Sequence, residues 1–207
     1  MRKQVELAVE IMKKGGIVAY PTDTIYGLGA DIRNDVAVQK IFAAKRRPAN
    51  QPLPILLADV SQVENVARDI PDVARRLAQQ LWPGSLTIVL HRSNTVPDAV
   101  TGGGDKVAVR IPQHPVPIAL IRGLGTPITG TSANVSGKPN PVSAHDVRDQ
   151  LGDCIDMIID GGRCPGDTPS TVVDVTGEYP AIIRDGAIPR EEIEAICQFT
   201  AKAGSER

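Results

Sequence analysis

Proline and glycine interrupt this chain so regularly that no long unbroken element fits into it. The 17 Pro and 19 Gly are spread over 207 residues and sit at the ends of apolar runs, not in low-complexity tracts. Helices and strands must therefore be short and turns numerous. Aromatic residues make up 3% of the chain, so the core has to be built from Val, Ile, Leu and Ala. The length supports one sizeable core, and no linker or internal repeat divides it.

Between the breakers the apolar spacing alternates in kind. Val5, Ala8, Val9 and Met12 repeat at helical spacing, and Gly15-Gly16 stops the helix. Ile17 to Tyr20 is an apolar run ended by Pro21, as in a buried strand. A second helix is expected from Asn34 or Asp35 to Pro48, and another strand over 53–57. Ser61 and Glu64 have the spacing of a capping box and predict a helix to Asp69, followed by one over 72–82. Strands are predicted over 86–90, 107–111, 127–129, 155–159, 171–175 and 181–184, and helices over 118–124, 143–151 and after Pro189. Interspersed strands and helices make the class α/β, with one twisted mixed sheet flanked by helices in a single domain over 1–200 and a frayed tail over 201–207.

The net charge is −1, which gives no whole-chain signal for nucleic acid, although Lys40, Lys45, Arg46 and Arg47 could form a local basic patch. The three cysteines, Cys154, Cys164 and Cys197, form no CxxC pair, which argues against a zinc site or disulfide framework and suits a reducing cytoplasm. The first residues lack the apolar stretch of a signal peptide, and no run is long enough for a membrane helix. A soluble cytoplasmic protein without membrane contact is expected.

Small polar residues and glycines gather at three strand-to-loop junctions, over 21–30, 129–137 and 168–174. Taken singly, such stretches build turns. Together they are what ligand sites at strand ends of an α/β sheet use to hold phosphate or carboxylate. Lys45 and Arg47 at a helix end suit polyphosphate, Lys as a compact charge and Arg as a planar fork. Arg110 ends the apolar run Val107-Ala108-Val109, so it must snorkel outward or pair with a buried anion, for which a substrate carboxylate is one candidate. Arg184 repeats that pattern after Ile182-Ile183. The chain has no GxxxxGK[ST] loop, no GxGxxG fingerprint and no GxSxG elbow, and its three histidines show no metal or triad spacing. The chemistry left is electrostatic positioning by Lys, Arg and hydroxyls, with no protein-held metal.

These stretches, in order, resemble the threonylcarbamoyl-AMP synthases, the YrdC-like family. The matching segments are Tyr20-Pro21-Thr22-Asp23-Thr24-Ile25-Tyr26-Gly27-Leu28-Gly29, Lys45-Arg46-Arg47-Pro48, Trp82-Pro83-Gly84-Ser85-Leu86-Thr87 and Val107-Ala108-Val109-Arg110-Ile111-Pro112. They continue with Ser132-Ala133-Asn134-Val135-Ser136-Gly137, Ser170-Thr171-Val172-Val173-Asp174 and Arg184-Asp185-Gly186. The resemblance implies a twisted mixed sheet with a concave basic cavity, and the condensation of L-threonine, bicarbonate and ATP to threonylcarbamoyl-AMP and pyrophosphate. The product would pass to a transferase complex for t6A modification of tRNA. The signature falls on Lys45, Arg47, Ser132 and Asn134 as catalytic positions. Threonine contacts fall on Thr24, Arg110, Ser132 and Ser170, and ATP contacts on Arg47, Gln51, Lys106, Asn134, Val142 and Arg184. Gln51, Leu56 and Asn140 depart from the family's usual residues. A single-domain member is expected.

The implied chemistry is a carbamate attacking the α-phosphorus of ATP. Lys45 and Arg47, with Mg²⁺ carried by ATP, would neutralise phosphate charge, and Asn134 would orient a phosphate oxygen. The alternative is a module that binds RNA in the same basic concavity without catalysis; the lack of net positive charge and of stacking aromatics argues against it.

Overall fold

The computed structural model describes residues 1–166 and 168–203, with side chains to residue 197. Helix α1 (Arg2–Lys13) leads into β1 (Val18–Tyr20) and β2 (Gly27–Gly29), then α2 (Asp35–Lys45) and β3 (Ile55–Leu56). The chain continues through α3 (Val63–Val66), β4 (Ala67–Arg68), α4 (Asp72–Leu81), β5 (Leu86–Arg92), α5 (Asp98–Thr101) and β6 (Lys106–Arg110). It ends with α6 (Pro115–Leu124), β7 (Ile128–Thr129), β8 (Thr131–Ser132), α7 (Ala144–Leu151), β9 (Met157–Ile158), β10 (Thr171–Asp174), β11 (Ala181–Arg184) and α8 (Arg190–Ala203). The last helix runs past Thr200, where fraying is expected from sequence, and 204–207 lie outside the described residues.

The mixed α/β class holds, but hydrogen bonding divides the strands between two mixed sheets. One has the order β8-β2-β1-β9; the other has β11-β10-β5-β6-β3-β7, with β4 paired to β5. The division falls between the consecutive strands β7 and β8, at Gly130. A Cβ there would lie 2.7 Å from the Leu56 side chain, so only glycine lets the chain cross this close to β3. The two sheets stay joined by a bridge between Asp31 and Ile128.

The core follows the sequence periodicity. Ala8, Val9 and Met12 of α1 pack on Leu120 and Ile121 of α6 and on Val18 and Tyr20. A larger cluster joins Ile41 and Phe42 of α2, Leu77 of α4 and the inward residues Ile88, Leu90, Val107 and Val109 of β5 and β6. Each fully buried aliphatic side chain of this kind is worth about 1.5–3 kcal/mol.

Local chemistry sets the helix ends. Asn34 caps α2 by accepting from Ala37 N, and Ser143 and Asp146 form a capping box on α7. The predicted capping box at Ser61 does not form. Asp59 instead accepts from Ser61 N, and Gln62 Oε1 accepts from Ala58 N. The segment becomes a 3₁₀ turn, the single turn of α3 and a strand, with Asp69 in the left-handed region at φ 53°. His114 Nδ1 accepts from Val116 N and Pro115 takes the first turn, so α6 starts earlier than its apolar pattern shows.

Helix α2 closes on Arg46, whose φ of 51° and ψ of 40° are left-handed and whose side chain is exposed. Only Gly adopts this conformation without steric cost. Arg46→Gly is expected to raise the unfolding free energy by about 0.5–1 kcal/mol, read by urea denaturation.

Candidate active site

Strand alternation sorts the residues of β5, β6 and β10 onto two faces. Thr87 and Val89, Lys106, Ala108 and Arg110, and Val172 and Asp174 all line one cavity of about 480 Å³. Their neighbours Ile88, Val107, Val109 and Val173 are core. The strand registers pair Ala108 with Val89 and Val89 with Asp174, and pair Thr87 with Val172 and Val172 with Arg184. The floor is thus two cross-strand rows, with Arg184 and Arg110 toward the two ends of one of them.

All three hydroxyl-rich junctions reach this cavity. The first supplies Thr22, Thr24, Ile25 and Gly27; the second Gly130, Thr131 and Ser132; the third Pro169 and Ser170. Among the described residues, four cations, Arg47, Lys106, Arg110 and Arg184, share the wall with one carboxylate, Asp174. Asp174 is already engaged: it accepts from Lys106 Nζ at 2.8 Å and from Thr176 Oγ1 at 2.6 Å.

Arg110 is held on three sides. Its Nε donates to Gly84 O at 2.9 Å, its Nη1 to Thr24 Oγ1 at 3.1 Å and its Nη2 to Asp23 Oδ1 at 2.7 Å. Of the two outcomes open to an Arg in so apolar a strand, snorkelling or a buried anion, the structure shows the second; the anion is Asp23, and both side chains are largely shielded, 8% and 12% exposed. A guanidinium has five N–H groups, so one on each terminal nitrogen remains without a partner among the described residues. These two suit a carboxylate.

Hydroxyl directions follow from the same census. Thr22 Oγ1 donates its proton to Ile25 O, so in the 3.1 Å contact between Thr22 and Thr24 the donor is Thr24. With Arg110 donating to it, the Thr24 oxygen offers a ligand only a lone pair. Ser132 is set likewise, donating to Asn134 Oδ1 at 2.6 Å. Both therefore suit an ammonium or hydroxyl donor rather than a carboxylate. Ser170 lies under Arg184, whose Nη2 donates to Ser170 O at 2.7 Å and to its Oγ at 3.1 Å. Gly186 permits that approach, since a Cβ there would sit 2.4 Å from the Ser170 carbonyl carbon. Burial, and then the like charge of Arg110, push the Arg184 pKa down.

Lys45 and Asn134 stand behind the wall. Lys45 is 1% exposed. Its ammonium donates to Ser132 O at 2.5 Å, Asn134 O at 2.8 Å and Asn134 Oδ1 at 3.2 Å. Asn134 Nδ2 donates to Lys138 O and Pro139 O, which fixes the orientation of the amide and consumes it. These two residues knot the 132–139 loop, and no atom of either side chain is left for phosphate. Burial, with Arg47 adding, lowers the Lys45 pKa to about 8. Arg47 is half-buried on the wall and donates to Pro52 O, while its buried Nε has no acceptor among the described residues.

Of the other expected contacts, Thr24, Lys106, Ser132, Ser170 and Arg184 line the cavity, whereas Gln51 is exposed beyond it and Val142 turns to α7 through its N–H bond to Asp146. Leu56 and Asn140, two of the departures from the family pattern, are on the wall. Sequence reasoning assigned no role to Asp23, Ser85, Thr87 or Asp174, although each lies in a segment it singled out.

A larger groove of about 970 Å³ opens on the other side of β5, walled by Ile88, Leu90, Ile111, Trp82 and Ile118 among others. Its lining is mainly apolar, with Arg75 and Arg122 but one hydroxyl residue, Ser61, among the described residues, against Thr22, Thr24, Thr87, Thr131, Ser132 and Ser170 on the smaller cavity.

Residues 10–186 match the family profile Sua5_yciO_yrdC, described as telomere recombination. The chain belongs to the Sua5/YciO/YrdC family. It is 46% identical to a threonylcarbamoyl-AMP synthase of Pyrococcus abyssi over 93% of this chain and 57% of that protein. It is 37% identical to a putative threonylcarbamoyl-AMP synthase of Mycobacterium tuberculosis, over 91% of this chain and 87% of that protein. Among solved structures it matches P. abyssi Sua5 complexed with L-threonine, with a TM-score of 0.92 and 45% identity over 95% of this chain and 58% of that one. Escherichia coli YciO matches with a TM-score of 0.83 and 30% identity over 91% and 92% of the two chains. The chain spans little more than half the length of the P. abyssi and Bacillus subtilis synthases, at 57% and 56%.

Proposed function

We propose that this chain is a threonylcarbamoyl-AMP synthase that condenses L-threonine, bicarbonate and ATP, releasing pyrophosphate, and that its product serves t6A modification of tRNA in the cytoplasm. The observation that carries the reading is the wall around Arg110. Two guanidinium N–H groups without a partner among the described residues lie beside Thr24, Ser132 lines the same cavity, and the oxygens of both hydroxyls can only accept. An α-amino acid supplies the complement: a carboxylate for Arg110, and an ammonium and hydroxyl for the acceptors. The relative crystallised with L-threonine supports the same reading.

In this proposal threonine binds with its carboxylate on Arg110; its ammonium passes one proton to bicarbonate, which breaks down to CO₂ and water, and the free amine takes up that CO₂ as a carbamate, releasing its second proton to solvent. The carbamate oxygen then forms a bond to the α-phosphorus of ATP as the bond to pyrophosphate breaks. No strong general base is needed, because the carbamate is already an anion. Arg47, Lys106 and Arg184 stand on the wall to neutralise phosphate charge, a role that needs placement rather than proton transfer. Mg²⁺ would arrive on the ATP phosphates and supply further charge neutralisation. Among the described residues the cavity's donor set does not fit a protein-held ion, since Asp174, the one carboxylate among them, is taken by Lys106 and Thr176. Lys45 and Asn134 act at one remove, by holding Ser132.

Pyrophosphate release by the purified chain is expected only when ATP, L-threonine and bicarbonate are all present. Release with ATP alone, or equally with any amino acid, sinks the proposal.

A further inference from the structure

We infer that Asp23 is a positioning residue, which acts through the placement of its carboxylate to aim the two free N–H groups of Arg110 at the substrate carboxylate. The inference rests on the synthase reading above and adds a residue to which that reading gives no role.

The geometry sets Asp23 apart from an ordinary ion-pair partner. Its two oxygens have separate tasks: Oδ1 accepts from Arg110 Nη2 at 2.7 Å, and Oδ2 accepts from Ser85 Oγ at 3.2 Å. Ser85 follows Gly84, whose carbonyl receives Arg110 Nε. The carboxylate therefore ties Arg110 to the same short segment, 84–85, that holds the other edge of its guanidinium. Thr24, the next residue after Asp23, takes the remaining terminal nitrogen. The three bonds, one on each nitrogen of the guanidinium, together restrain the orientation of the fork.

Asp23 is not itself on the cavity wall, whereas Thr24 and Arg110 are. Its effect on a ligand must pass through Arg110. The pair is also shielded from solvent, at 8% and 12% exposure, so water cannot stand in for a misplaced carboxylate oxygen. A longer side chain at position 23 keeps the charge but displaces the oxygen by about the length of one methylene. A displacement of roughly 1 Å in a positioning group can cost up to about 10²-fold. An amide at position 23 does the reverse. It keeps an acceptor for Arg110 in place and removes the charge, and its NH₂ can turn to the Ser85 hydroxyl.

The test compares Asp23→Glu with Asp23→Asn, with pyrophosphate release followed against L-threonine and, separately, against ATP. Thermal melts of both variants establish that they are folded at the assay temperature. Asp23→Glu is expected to raise the threonine KM by about 10-fold or more, with the ATP KM within about 3-fold of the parent's. Asp23→Asn should keep the threonine KM within about 3-fold. The reverse ranking would show that Asp23 acts through its charge and overturns the inference. Equal changes in the two KM values would show general damage and overturn it too. Should Asp23→Glu fail to fold, Ser85→Ala carries the same test: loss of its bond to Oδ2 is expected to raise the threonine KM several-fold and leave the ATP KM alone, and an unchanged threonine KM overturns the inference. An inactive parent protein sinks the synthase reading itself, whereas an active parent with an indifferent Asp23→Glu variant sinks only the role of Asp23.

Discussion

Arg110→Ala should raise the threonine KM by at least about 100-fold and, in the same protein, lower the unfolding free energy by roughly 3 kcal/mol. The two effects share a cause. In the proposed complex Arg110 offers a ligand carboxylate two N–H groups, while three serve the protein, donating to Gly84 O, Thr24 Oγ1 and Asp23 Oδ1. Truncation to Ala removes the ligand contact and leaves the Asp23 carboxylate, 12% exposed, without its counter-charge. Losing one partner of a shielded pair costs more than losing both, because the orphaned charge stays desolvated. The double variant Asp23→Ala/Arg110→Ala is therefore expected to recover part of the lost stability and none of the lost threonine affinity. Arg110→Lys should fall between, since a compact ammonium cannot meet three acceptors spread around a planar fork. Urea denaturation and threonine titration of the same variants check this. A full recovery of threonine affinity in the double variant would separate Arg110 from the ligand and sink the assignment.

Arg110 also shows how far the sequence could be read. A charged residue closing an apolar strand had either to snorkel outward or to pair with a buried anion, and the structure shows the second. Its identity was not legible, because Asp23 lies 87 residues away in a segment whose local pattern reads equally well as a turn. The strand alternation that aims Thr87, Lys106 and Arg110 at one cavity could be read from period two alone. The division into two sheets could not, since it depends on Gly130 passing close to Leu56, a contact between segments distant in the chain. Residues of two kinds were grouped by their motif: Arg47 and Ser132 line the cavity, while Lys45 and Asn134 hold the loop behind it. Spacing gives the company a residue keeps, and only burial tells whether it faces a ligand or the protein. The Ser61 capping box failed for a local reason, because Asp59, two residues earlier, accepts the Ser61 N–H that the Glu64 carboxylate would take in the box.

Lys45→Met is expected to reduce threonine-dependent turnover by about two to three orders of magnitude while changing stability at pH 7 by less than about 2 kcal/mol. Two terms oppose each other in the fold. The ammonium is almost fully buried and has no carboxylate partner among the described residues, so its presence carries a desolvation cost. Its removal relieves that cost but leaves the carbonyls of Ser132 and Asn134 without their donor, at about 1–3 kcal/mol each. Turnover has no such compensation, because the 132–139 loop loses the group that gathers it. The pH dependence separates the terms. Burial lowers the Lys45 pKa from 10.5 to about 8. Below pH 8 both folded and unfolded chains carry the proton, and the folded state bears the full cost of the buried charge. Between about 8 and 10.5 the unfolded chain binds more protons than the folded one, so this group makes stability rise with pH. From pH 7 to pH 10 the parent should gain about 2 kcal/mol relative to Lys45→Met in urea denaturation. Parallel stability curves for the two proteins would mean that the ammonium is as well solvated in the fold as in water, and that the knot does not hold Ser132 by a buried charge. Turnover should move the opposite way: above pH 8 the neutral amine has two N–H groups for three acceptors, so the parent loses activity over the same range in which its fold gains stability.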